Sequence, residues 1–369
     1  MRQHHLRHYV DVAEEADTLF RTALQMNGAA TFDREWDNLR VAHEWAIATT
    51  DLAQAERLIN ASFPYAYSAN RLEHGNWVEQ AITLDTPDHP PSPDTFAKGA
   101  LWAYTIENIV RGDELLHRGI DLALLTDSPG AVMCWALADP GEHPGVPDPF
   151  ARLEAAATNL DLDREWWVLE QLADKAWSRG SDVRSVHLAR LVETADRVRA
   201  PTLMVTAALE TGHSLVMQQP PDFAAALGWY TSALDTARQC DDLVNQGECL
   251  RAIALASVGL HSDNAIETCH GALIMLHENR YWYRIWHVFE SIGLSLASIG
   301  QVEAASLIVG HLEAHHPPFG YEHRLDFRDR ALEIVRPDAH AQEWMARGAA
   351  MDRYQIVEYA LAALGVDER

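Results

Sequence analysis

Lysine is almost missing from this chain. Lys98 and Lys175 are the only two among 369 residues, and arginine carries nearly all the basic charge, a bias that reads as GC-rich coding and says nothing about function. Positive charge as a whole is scarce: 29 Lys and Arg face 54 Asp and Glu, a net charge of −25 spread along the chain with no acidic tail. Such a field repels nucleic acid, where affinity comes mainly from cations that neutralise phosphates, so no direct nucleic-acid binding is expected. Cysteine is scarce too. Cys134, Cys240, Cys249 and Cys269 form no C-x-x-C pair. With no apolar leader at the N-terminus, they read as single buried thiols of a cytoplasmic protein. No apolar run nears the roughly 20 residues that span a bilayer, so no membrane partner is expected. Nor does any segment hold the alternation of β-branched residues that a strand needs.

What is present is helical periodicity. A composition 48% hydrophobic and 22% charged can fold, but 369 residues exceed one ordinary core. Two domains or one elongated repeat array are therefore expected. Leu6, Val10, Ala13, Ala16 and Phe20 recur at three- and four-residue steps, as do Trp36, Leu39, Ala42, Trp45 and Ala46; each set is the apolar stripe of a helix. Proline and glycine gather in few places, notably 86–94 (TPDHPPSPD) and 139–150 (DPGEHPGVPDPF), where each proline removes a helical donor. The second stretch is expected to be a hinge loop between an N-terminal helical block, 1–138, and a C-terminal repeat block, 151–369.

That second block repeats itself. Asp222-Phe-Ala-Ala-Ala, Asp263-Asn-Ala-Ile and Gln301-Val-Glu-Ala-Ala each open a helix, and Ala225, Ala265 and Ala305 fall 40 residues apart. Earlier copies stand at Asp51-Leu-Ala-Gln-Ala and Gly112-Asp-Glu-Leu-Leu. A hairpin that cannot bury its own apolar face must stack on its neighbours, which predicts an all-α fold: an α-α superhelix of roughly eight tetratricopeptide-like hairpins. The three alanines are expected to be buried at helix contacts.

Four segments resemble a known family. Glu35-Trp-Asp-Asn-Leu-Arg-Val-Ala with Trp45-Ala46 is similar to the opening segment of the tetratricopeptide-like sensor region of bacterial signal-transduction ATPase regulators. These regulators often carry a LuxR-type helix-turn-helix, and some a nucleotide cyclase domain. His8-Tyr-Val-Asp-Val-Ala-Glu-Glu-Ala resembles the helix before that segment. Ala304-Ala-Ser-Leu-Ile-Val-Gly-His-Leu-Glu-Ala resembles a later family helix, and Glu343-Trp-Met-Ala-Arg-Gly-Ala-Ala-Met-Asp running into Glu358-Tyr-Ala-Leu its closing motif. The likeness covers about three quarters of the chain in register; residues 127–150 depart from it. It implies a non-catalytic, signal-sensing scaffold that engages a protein partner or a small-molecule inducer and regulates transcription through an attached module. The chain holds no G-x-x-x-x-G-K-[ST] loop, no basic helix-turn-helix and no cyclase sequence, so it reads either as an excised region or as a stand-alone sensor. An oligomerisation or adaptor module without a small ligand is the alternative, and self-association stays open.

Chemical sites are thinly signalled, and neither catalytic residues, a metal nor a cofactor are expected. Gly212-His-Ser-Leu-Val falls short of a nucleophile elbow, since Val216 stands where glycine belongs and no strand precedes it. His311 and His315, with Glu313 and His316 nearby, have zinc-compatible spacing but lack a clear third ligand; solvated histidines beside the Pro317-Pro318 stop are the plainer reading, and His4 and His8 repeat it. The aromatic groups Trp166-Trp167 with Trp177, Trp102 with Tyr104, and Arg280-Tyr-Trp-Tyr-Arg-Ile-Trp286 read either as packing between repeats or as a binding groove with Arg284. Trp282 and Trp286 share a helix face, and Tyr281 and Tyr283 point elsewhere, so only one set is expected to be buried. If the first helix of each hairpin lines a concave side, positions 207, 210, 214 and 217, then 247, 250, 254 and 257, then 287, 290, 294 and 297 face inward. The candidate groove residues are thus Glu210, Ser214, His287 and Glu290, with Trp282, Arg284 and Trp286. Small Ala207, Gly247, Ala254, Ser257 and Ala297 would leave room for a ligand. The competing reading makes Glu210, His287 and Glu290 ordinary solvent-facing residues.

Overall fold

The structure, a computed structural model, describes residues 2–126, 131–140, 143–315 and 326–365, with the side chain of Tyr283 left aside. His316 and Pro317-Pro318 lie outside the described residues. Among those described, every regular element is helical. The chain forms α1 (Arg2–Phe20), α2 (Gln25–Ala48), α3 (Leu52–Ser68), α4 (Glu73–Ile82), α5 (Pro93–Thr105), α6 (Ile109–Thr126), α7 (Val132–Leu137), α8 (Pro149–Ala157), α9 (Trp167–Lys175) and α10 (Ser181–Val198). There follow α11 (Pro201–Val216), α12 (Phe223–Gln239), α13 (Leu243–Gly259), α14 (Ala265–Glu278), α15 (Trp282–Ser298), α16 (Val302–His315), α17 (Phe327–Val335), α18 (Ala341–Ala349) and α19 (Arg353–Leu364). Two compact units divide them. Unit 1 holds 1–210 and 236–244; unit 2 holds 211–235 and 245–369. No helix among the described residues is long and apolar enough to cross a membrane.

In unit 1 the stripe Leu6, Val10, Ala13, Ala16 and Phe20 is buried, and it meets Phe32, Trp36, Leu39, Ala42 and Ala46 of α2. Gly28 lets the two helices touch, since a Cβ there would stand 2.5 Å from the Ala16 carbonyl oxygen. Trp102 is buried and donates its indole N–H to His74 Nδ1 at 3.2 Å. The described part of the Pro/Gly-rich stretch, 139–140 and 143–150, does not separate two cores. Val146 is fully buried, and Ala131–Ala138, Val146 and Phe150 share one core with Phe96, Leu115 and Leu172. Apolar Val146 and Phe150 anchor the loop from within, and the division of the chain falls inside α11, α12 and α13 instead.

Seven helices end in the same way. Thr50, Asn70, Glu107, Asp241, His261, Arg280 and Gly300 all have positive φ, between 51° and 82°. The N–H of the following residue returns to a carbonyl five residues earlier: Asp51 to Ala46 at 2.8 Å, Asn108 to Ala103 at 2.8 Å, Tyr281 to Leu276 at 2.8 Å and Gln301 to Leu296 at 2.9 Å, for example. This left-handed closure satisfies carbonyls the helix leaves orphaned and turns the chain sharply. Its last four instances step by 20, 19 and 20 residues, so each hairpin takes about 39. That spacing, not the alanine ladder, carries the repeat. Ala305 is fully buried, but Ala265 is half-buried and Ala225 exposed. The expected alanine register fails because α12 begins at Phe223, α14 at Ala265 and α16 at Val302, so the three alanines occupy different positions of the first turn and point in different directions. In α12 the buried alanine is Ala226.

Within unit 2, α16 is buried at every position from Ala304 to Leu312. A helix buried all round needs neighbours on all sides, and α15, α17, α18 and α19 supply them. The contact with α18 is the tightest. A Cβ on Gly310 would overlap the Met345 carbonyl, and one on Gly348 the Leu307 carbonyl. His311 Nδ1 and His315 Nε2 lie 3.2 and 2.9 Å from the carbonyl oxygens of Gly348 and Ala349, so these histidines serve the free end of α18.

The two glycine-related features lead to opposite outcomes. Thr50→Gly relieves a β-branched residue at φ 54° and should raise stability by about 0.5–1 kcal/mol. Gly348→Ala should lower it by about 1–3 kcal/mol, because backbone cannot move aside as a side chain can. Urea unfolding of both variants checks the signs; a stabilised Gly348→Ala chain would contradict the close crossing.

Candidate functional site

Charge is buried inside one of the apolar helices of unit 2. Helix α13, reading LVNQGECLRAIALASVG, carries Glu248 and Arg251 three residues apart and thus on one face. They are 6% and 1% exposed. Arg251 Nε donates to both Glu248 carboxylate oxygens at 3.1 Å, and its Nη2 donates to Oε1 as well. From α15, Arg284 Nη1 reaches Glu248 Oε2 at 2.9 Å, and His213 of α11 stands with Nε2 3.9 Å from Oε1. Gly247 helps to set this position: a Cβ there would come within 2.9 Å of Leu276 and 3.5 Å of Tyr281, so α13 packs closely and its next residue turns toward Arg284. Burial by itself would raise the Glu248 pKa. The Arg251 and Arg284 charges, the Arg251 hydrogen bonds and His213 outweigh it and hold the carboxyl well below its usual range.

The predicted groove residues fall in several environments. Arg284 joins Glu248, as described. His287 and Glu290 are each 6% exposed, on one face of α15, with Ser291 and Ser295 also buried on that helix. Ser214 is half-buried in α11. In unit 1, Glu210 accepts from Arg184 Nη2 at 2.8 Å, and the Arg184 guanidinium lies 3.6 Å from the centre of the Trp177 ring. Trp282 packs on the first turn of α19, 4.7 Å from Arg353 and 5.0 Å from Tyr354, and Trp286 stacks on His311 at 5.1 Å. Tyr281 and Trp282 are both buried. The expected either-or fails for this pair because Tyr281 precedes the helix, at φ −82° and ψ 60°, and escapes its phase. The side chain of Tyr283 lies outside the described residues.

The small positions expected to leave room are filled instead. Ala254, Ser257 and Ala297 are at most 3% exposed, and Gly247 faces Leu276 and Tyr281. On α13 the counted phase is one residue off, which rotates a helix face by about 100°; the charges stand at 248 and 251, not at 247, 250 or 254. Sequence reasoning missed Glu248, Arg251 and Arg184 and weighed His213 only as a neighbour of Ser214. The signal was there on α13: two opposite charges at i,i+3 inside an apolar run, where a charge must be paired to be tolerated. Ser214 lies within a helix with no strand before it, and all four cysteines are buried and unbridged. Among the described residues no group of three or more His, Cys, Asp and Glu could hold a metal ion.

No protein-family model matches the chain, and no curated protein matches it. The arrangement of its own side chains therefore carries the functional argument.

Removing Glu248 takes a buried acceptor from two guanidinium groups. Glu248→Ala should cost about 3–5 kcal/mol, the usual penalty for breaking a buried pair from one side. Arg284→Ala should cost about 1 kcal/mol or less, because its side chain is 35% exposed and Arg251 stays on Glu248. Chemical denaturation of the two variants gives the ranking; equal losses would mean that Arg284 holds the carboxylate as firmly as Arg251 does.

Proposed function

We propose that this chain is a non-catalytic binding scaffold, the signal-sensing and protein-interaction region of a bacterial transcriptional-regulator-type protein. In this reading its hairpins form a tetratricopeptide-like α-α superhelix whose inner helices engage a small-molecule inducer or a protein partner. The observation that carries it is the polar face on α13 and α15. Glu248, Arg251, His287, Glu290, Ser291 and Ser295 are all buried there, and burying such groups does not favour folding over a well-packed apolar core. A polar face retained at that expense suits recognition, where a few placed polar groups fix the orientation of a ligand. The regular helix exits and the family-like motifs at both ends support the same reading. The two later motifs also meet each other, since Gly310 and Gly348, one in each, make the α16–α18 contact.

A thermal-shift screen of metabolites, sugars and nucleotides, with native mass spectrometry of the purified chain, tests it. At a concentration 100 times its dissociation constant, a specific ligand should add about 2.7 kcal/mol. The gain should vanish in the double variant Glu248→Leu, Arg251→Met. A chain that no compound stabilises, and that runs as a dimer indifferent to the double substitution, would contradict sensing and leave an assembly module.

A further inference from the structure

Lys98 is one of two lysines in the chain and is only 8% exposed. It sits in unit 1 on α5, with its Nζ 5.5 Å from the centre of the Phe63 ring. No acceptor among the described residues makes a hydrogen bond or an ion pair with that ammonium. Carboxylates stand near enough to act on it electrostatically, namely Asp94, Glu165 and Glu56, yet each is engaged by another donor. Glu56 accepts from the Ser92 backbone N–H and the Thr95 hydroxyl, both at 2.6 Å. Asp94 accepts from the Met133 N–H at 3.1 Å. Glu165 accepts from Arg21 at 3.0 Å and from the Trp167 indole at 2.9 Å. The other nearby cation, Arg21, is taken up by Asp17 at 2.8 Å, by Glu165 and by the Arg164 carbonyl at 3.2 Å. Among the described residues, Lys98 alone in this cluster keeps three N–H donors without a protein acceptor. Lys175, by contrast, donates to the Ala138 carbonyl at 2.8 Å and lies 3.4 Å from Asp139.

A buried ammonium with no acceptor is costly unless something else supplies one. Burial accordingly pulls the Lys98 pKa below its ordinary value, with Asp94 opposing the shift. The surroundings limit what can fill the gap. Three carboxylates repel a dianion such as phosphate far more than a monoanion. The adjoining wall is aromatic: Phe63 and Tyr67 stack at 5.9 Å and are both half-buried.

We propose that Lys98 anchors a binding site for a small organic acid, its ammonium holding the carboxylate and the rings of Phe63 and Tyr67 contacting the apolar body of the molecule. The site goes beyond the polar face of α13 and α15: it uses other residues, and its failure would leave that reading untouched.

The low lysine count makes the test direct. The full chain, labelled with 13C and 15N in lysine only, gives two lysine side-chain signals, and Lys175→Arg assigns them without touching Lys98. Propionate and benzoate are titrated in, with chloride and phosphate as controls. The Lys98 signal should move saturably with either carboxylate, the Lys175 signal should stay still, and the controls should do little. Benzoate should also raise the melting temperature of the wild-type chain and not that of Lys98→Met. A Lys98 signal that ignores both carboxylates, or that follows chloride or phosphate equally, overturns the proposal. The spectrum of the wild-type chain decides this even if Lys98→Met fails to fold.

Discussion

One hydrogen bond, from the residue after a left-handed position to a carbonyl five residues back, closes seven of the helices. It turns the chain sharply where each of these helices ends, so part of each hairpin's geometry is set by local bonds. That closure is taken by Thr50, Glu107, His261 and Arg280, where glycine would adopt it without strain. The strain is tolerated because the helices on both sides are held by burial, as Leu58 and Ile59 hold α3 and Leu273 and Leu276 hold α14. Once the exits are fixed at intervals of about 20 residues, neighbouring helices can share apolar faces that none could bury alone.

Within that frame unit 2 spends its packing unevenly. Helix α16 is buried on every side, and its glycine contact with α18 brings backbone against backbone. Helices α13 and α15 instead carry charge inside: Glu248 is held by Arg251 of its own helix and by Arg284 of α15. A pair within one helix could form in isolation. The third partner requires α15 to lie beside α13, so the charge arrangement reports the tertiary fold and not the helix alone. Arg184, Glu210 and Trp177 make a comparable buried group within unit 1.

The helices were legible in the sequence because their signal is local. The stripe from Leu6 to Phe20 predicts α1, and every residue of it is buried. The exits were not legible, since nothing in Thr50, Glu107 or Arg280 announces a left-handed residue; the carbonyls they serve belong to the turn before them. Phase was lost for a related reason. Counting from Ala225 and Ala265 assumes equal helix starts, and α12 and α14 start at different points relative to those alanines. An error of one residue moved the expected inward-facing set on α13 off Glu248 and Arg251, although Arg284, His287 and Glu290 on α15 were named. The stretch 139–150 looked like a hinge by its prolines, and its apolar Val146 and Phe150 decided otherwise.

The central claim is that the charges around Glu248 are kept for recognition and not for stability. The unfolding free energy of a chain in which Glu248→Leu, Arg251→Met and Arg284→Leu are made together tests it most directly. Replacing a buried ion triad by apolar residues of similar size is commonly neutral or stabilising, so the account predicts a triple variant at least as stable as the natural chain. A loss as large as that of Glu248→Ala alone would contradict it and make the cluster a structural necessity.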